Sequence, residues 1–176
     1  MIQAKNVVQR RVLIHNAEQV LSQKIAETAF QTAKQELIKM VKEDFRDFDL
    51  SMETLLKVSS LSNRWLQSAS KKESISLEKI IIEVKDKAGL NRIKQGLAVA
   101  ILKQLGALYT PKYYNNQSAN CYDSPTSGKR IELGTYVNGS QCELDYIFDA
   151  DAVLKDIPLL IQKSQKLAKE LEEVGL

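Results

Sequence analysis

The spacing of apolar residues changes at Gly106, and this restricts the chain to folds that join a helical part to a small extended part. Upstream, Val20, Leu21, Ile25, Ala29, Ala33, Leu37, Met40 and Val41 recur at helical intervals. Lys24, Glu27, Gln31, Lys34 and Glu36 lie between them, so one long amphipathic helix is expected. Asn16 is its expected cap, with Gln19 reaching back three residues later. The pattern breaks near Phe45 to Asp49. The run from Val7 to Ile14 before it is too short to distinguish a strand from the ragged beginning of a helix, and a strand is the preferred reading.

Further helices follow. Ser51 is placed to cap one through Leu55, Leu56, Val58, Leu61, Trp65 and Leu66, and the polar run from Ser68 to Glu73 suits a linker. Ser76 can cap a third over Leu77, Ile80, Ile81 and Val84, closed by a left-handed Gly89. A fourth, Asn91 to Leu105, is closed by Gly106, and Gly96 within it marks close packing.

Beyond Gly106, residues 115–128 have the Asn, Ser, Pro and Gly density of an exposed loop. Arg130 to Val137 alternates like a half-buried strand. Asn138-Gly139 then signals a hairpin to a partner strand through Cys142, Leu144, Tyr146 and Phe148. Pro158 suits the first turn of a last helix over Leu159, Leu160, Leu167 and Leu171, ending at Gly175. The expected fold is α+β and predominantly helical, with a long N-terminal amphipathic helix, a central helical group, a small antiparallel β-meander and a C-terminal helix. It forms one domain over 1–176, with a helical part about 16–106, a meander about 107–149 and a terminal helix about 157–174.

With 44% apolar and 27% charged residues the chain has a globular balance. It has no bilayer-length apolar run, and Met1 to Lys5 lacks the apolar start of a secretory signal, so no membrane association and a cytoplasmic location are expected. Cys121 and Cys142 fit neither a CxxC pair nor a zinc framework, which leaves two reduced thiols. The Asn-x-Ser sequons at Asn116 and Asn138 carry no weight without export. Charge is split. Residues 91–130 set six cations against Asp123, while residues 131–176 set nine acids against four lysines. Opposed blocks of this kind suit a nucleic-acid face, head-to-tail subunit contacts or simple solubility.

Catalytic constellations are absent from this reading, and no enzyme activity, metal or cofactor is expected. His15 is the sole histidine, and Arg10 with His15 has the Arg-x4-His spacing that resembles the HEPN ribonuclease motif over these two residues alone. A surface or capping histidine is the expectation. Ser127-Gly128-Lys129 lacks the remainder of a phosphate-binding loop. Asp145, Asp149 and Asp151 lack the Gly and Glu of a calcium loop, so helix-capping acids are expected there.

Two binding readings stand on longer stretches. Ser76 to Tyr109, with the phrase Leu102-Lys103-Gln104-Leu105-Gly106-Ala107-Leu108, resembles the helix–turn–helix and first strand of a winged-helix domain. That resemblance implies nucleic-acid contacts by Asn91, Arg92, Lys94 and Gln95 at the start of a recognition helix, and by Lys129 and Arg130 beside a wing. Glu132-Leu133-Gly134-Thr135, set between a long amphipathic first helix and a closing amphipathic helix, resembles the tail-completion or neck proteins of tailed bacteriophages. The resemblance touches residues 17–48 and 129–172. It implies a non-enzymatic head–tail connector component, a homo-oligomer or ring among other structural proteins, found in host cytoplasm during assembly and then in the virion. The interface residues chosen on this reading, which is the preferred one, are Lys129, Arg130, Glu132 and Tyr136 on the meander and Arg46 and Asp47 at the end of the long helix.

Overall fold

A computed structural model describes residues 7–58, 76–110, 117–137 and 148–175. Its order is α1 (Val7–Lys42), α2 (Met52–Val58), α3 (Leu77–Glu83), α4 (Lys87–Gln104), β1 (Gln117–Asp123), β2 (Arg130–Val137) and α5 (Ala150–Glu173). The expected class, α+β and mostly helical with a small antiparallel sheet and a terminal helix, is the one observed.

α1 starts at Val7, so residues 7–14 are helix and not strand, and Asn16 lies inside it without capping it. No Gly or Pro interrupts the run from Val7 to the strong helical period downstream, and propagating a helix is easier than nucleating a new element. At its other end the amides of Asp44 and Phe45 both donate to the Met40 carbonyl at 2.9 Å, and this wide turn drives Phe45 into the core at 0% exposure. Asp49 follows and is clamped to the end of α4. Its N–H donates to Gln104 Oε1 and its carbonyl accepts from Gln104 Nε2, both at 2.9 Å.

Ser51 caps α2 as expected, its Oγ accepting from the Thr54 N–H at 3.3 Å. The expected continuation through Trp65 and the linker 68–73 lie outside the described residues. Ser76 caps α3, accepting from the Lys79 N–H at 3.3 Å. α3 ends at Glu83 and is closed by Val84, not by Gly89. Asp86 instead caps α4, which begins four residues before the expected Asn91, and the Gly89 N–H donates to Asp86 Oδ1 at 2.7 Å. Glycine serves there through its size, since a Cβ would lie 2.9 Å from that carboxylate oxygen. Gly106 closes α4 as foreseen, at φ 69°. The amides of Gly106 and Ala107 donate to the carbonyls of Lys103 and Leu102, which is a Schellman motif.

α4 is the central element. Leu90, Ile93 and every residue from Gln95 to Leu102 are buried on it. α2, α5 and the second half of α1 pack around it. β1 and β2 form an antiparallel pair through a tight turn at 124–129, in which Gly128 (φ 68°) donates to the Ser124 carbonyl at 2.9 Å. The expected loop 115–128 is therefore half strand. The expected hairpin turn at Asn138-Gly139 and all of its partner strand except Phe148 lie outside the described residues. Tyr109 adds a bridge on the other side of β1, exchanging two backbone hydrogen bonds with Cys121 at 2.8 and 2.9 Å. A register shift between Asn120 and Cys121 leaves Leu133 without a cross-strand partner and turns its side chain into the core at 1% exposure.

α5 begins at Ala150, seven residues before the expected 157, because Asp149 caps it by accepting from the Ala152 N–H at 3.2 Å. Pro158 thus sits inside the helix and not in its first turn, and the Leu154 carbonyl loses its helical donor.

Candidate interaction surfaces

Two polar clusters fix the sheet. Asp156, 5% exposed on α5, accepts hydrogen bonds from Tyr122 Oη (2.8 Å), Ser124 Oγ (2.6 Å) and Thr126 Oγ1 (2.6 Å). Burial acts to raise its pKa, but the hydroxyl donors of Ser124, Thr126 and Tyr122 stabilise the carboxylate more, and the net shift is downward. Burial and the bond to Asp156 push the Tyr122 phenol well above its ordinary value. At the surface, Tyr109 Oη donates to Asp123 Oδ1 at 2.6 Å and accepts from Arg130 Nε at 3.1 Å. The Arg130 guanidinium lies 5.6 Å from the Tyr109 ring centroid. The Asp123 hydrogen bond is the main reason the Tyr109 pKa is raised.

This second cluster places one predicted residue, Arg130, at the turn end of β2 with exposed Lys129 and Glu132 beside it. Tyr136 lies further along β2, opposite Ser118. Arg46 and Asp47 are exposed in the turn after α1, a different part of the chain that the Gln104–Asp49 clamp holds against α4. The residues of the recognition-helix reading divide. Asn91 and Arg92 face solvent, Gln95 is buried, and Lys94 is 15% exposed with its Nζ 2.9 Å from Asp151 Oδ1. Asp149 and Asp151 are thus occupied as a cap and an ion-pair partner, and Asp145 lies outside the described residues. No group of three metal-ligating side chains occurs among the described residues. His15 is exposed beside Gln19, and five positions on a helix turn Arg10 and His15 roughly 140° apart, so the two do not converge.

A further surface lies on the first part of α1. Residues 7–29 of α1, roughly 34 Å of helix, are exposed throughout. They carry Val7, Val8, Val12, Leu13, Ile14, Val20, Leu21 and Ile25 at 52–67% exposure. Val8 and Val12 extend the core-facing side of the helix, while the other six form a stripe of their own. At 100° per residue the centre of those six lies roughly 170° around the axis from that of Phe30, Ala33, Leu37 and Val41, which pack against the core. Its signal in the sequence is Ile14 and Leu21 seven residues apart with Ala17 between, a spacing that has meaning only if residues 7–14 are helical. α5 ends in a similar way. Its 3–4 repeat of Val153, Ile157 and Leu160 runs on to Leu167, Leu171 and Val174, which are exposed at 56, 42 and 71%. No described helix is long and apolar enough to cross a membrane.

Compared with models of known protein families, with curated proteins and with solved structures, the chain has no match in any of the three.

Proposed function

We propose that this protein is a non-enzymatic assembly component whose work is done by surfaces that meet other protein chains. The observation that carries the reading is the first half of α1, a helix with its own apolar stripe turned away from the core. Exposed apolar surface of this extent marks contact sites. Lys129, Arg130 and Glu132 at the turn end of β2, Tyr136 further along it, and the turn with Arg46 and Asp47 are the polar contacts of the same reading. A phage neck or tail-completion role is the setting that Glu132-Leu133-Gly134-Thr135 suggests.

The winged-helix alternative keeps Asn91, Arg92, Lys129 and Arg130 as solvent-facing groups, while Lys94 and Gln95 serve the fold. Sedimentation velocity separates the two readings. The assembly reading expects co-sedimentation with structural proteins encoded beside this one, weakened by Arg130→Glu with Glu132→Arg. Co-sedimentation with none of them, together with duplex DNA affinity that falls steeply with salt, overturns it.

A further inference from the structure

We infer that the free half of α1 pairs with the same segment of a second copy, antiparallel, to form a two-helix coil. The inference rests on the assembly reading and names its first partner. Over residues 7–24 a heptad frame puts Val7, Ile14 and Leu21 at one core position and Arg10, Ala17 and Lys24 at the other, with Leu13 and Val20 on one flank, Ile25 on the other, and Val8 and Val12 on the outer face. A parallel pairing would set Arg10 against Arg10 and Lys24 against Lys24 of the other copy, like charges in the seam itself. The antiparallel pairing removes both conflicts. It places Ile14 over Ala17 of the second copy, large on small, and Leu13 beside Val20. Arg10 and Lys24 then lay their aliphatic stems over Leu21 and Val7 of the second copy with their charges in water.

Charge complementarity selects the same register. Arg11 and Glu18 lie on one flank of the stripe, two turns apart and too distant to pair within one helix. In the antiparallel coil Arg11 of each copy meets Glu18 of the other, and the two-fold axis makes the contact twice. The area agrees with a reversible contact. Six aliphatic side chains per copy, about half exposed, remove roughly 400–800 Å² of apolar surface from water between two copies. The stems of Arg10 and Lys24 bring this towards the roughly 1,000 Å² at which specific interfaces begin. The expected product is a dimer whose population rises over micromolar concentrations.

Light scattering on the full chain from 1 to 200 µM tests it. Wild type is expected to move from 19.8 kDa towards twice that mass. Ile14→Glu with Leu21→Glu is expected to stay monomeric at the top of the range, at least roughly a hundredfold weaker, with the unfolding midpoint that the wild-type monomer has at submicromolar concentration. Arg11→Glu or Glu18→Arg alone is expected to weaken the dimer about tenfold, and the two together to restore it. A wild-type monomer at 200 µM overturns the pairing but leaves the assembly reading to its own sedimentation test. A double Glu variant that lowers the midpoint of a monomer overturns it too, because the stripe is then covered by the chain itself. Charge reversals without mutual rescue overturn the antiparallel register.

Discussion

Asp156 on α5 accepts the Tyr122 hydroxyl of β1 at 2.8 Å, a contact between residues 34 apart in sequence that fastens the sheet to the terminal helix. The same carboxylate takes the hydroxyls of Ser124 and Thr126 from the turn between the strands. Asp156→Ala leaves three hydroxyls to find other partners and is expected to cost about 2–4 kcal/mol of stability by urea unfolding. Tyr122→Phe removes one of the three bonds and is expected to cost about 1 kcal/mol.

The cluster also predicts a pH profile. The folded-state pKa of Asp156 is lowered, so its contribution is present above the unfolded value of about 3.9 and is lost as pH falls through the folded one. Tyr122 is raised, so its contribution is present below about pH 10 and is lost above it. Unfolding midpoints measured from pH 2 to 11 are expected to fall at both ends. Asp156→Asn is expected to flatten the acid limb.

Lys34 is buried at 5% exposure. Its Nζ donates to the Ile82 carbonyl at 3.0 Å and lies 4.5 Å from the Phe30 ring centroid. This one side chain joins α1 to the last turn of α3. Lys34→Met keeps the apolar stem but abandons the carbonyl, and thermal unfolding is expected to report a loss of about 1–3 kcal/mol.

Local signals in the chain reached as far as the nearest few residues decide. Ser51 and Ser76 were legible as caps and Gly106 as a stop, because a cap is a contact within one turn. Arg130 to Val137 was legible as a strand from its alternation. Its partner was not, since Gln117 to Asp123 is polar and pairs through backbone, with Tyr109 on one side and β2 on the other. Pro158 misled because proline favours a first turn, whereas Asp149, nine residues earlier, supplied the cap. Lys94 and Gln95 read as groove-facing because sequence cannot tell a polar side chain that serves the core from one that faces water; Asp151, the ion-pair partner of Lys94, is 57 residues away.

The two glycines around α4 act for different reasons, and substitution separates them. Gly106→Ala places a Cβ in open space but in left-handed backbone, with an expected cost of about 1 kcal/mol. Gly89→Ala is conformationally ordinary but pushes against Asp86 Oδ1, and loss of that cap is expected to cost about 1 kcal/mol. Adding Asp86→Ala is expected to remove most of the second effect and none of the first.

Since residues 7–29 contribute nothing buried, deleting residues 1–24 is expected to change the stability of the monomer by less than about 0.5 kcal/mol at submicromolar concentration. A larger loss by denaturant unfolding would mean that this segment belongs to the core.

The backbone of Cys121 is held between Tyr109 and β2, and its thiol is wholly enclosed at 0% exposure. An alkylating reagent can reach that sulfur only while the sheet is parted from its surroundings. In a Cys142→Ser background the speed of labelling is therefore a clock for spontaneous breathing of the sheet, read by mass spectrometry under native conditions.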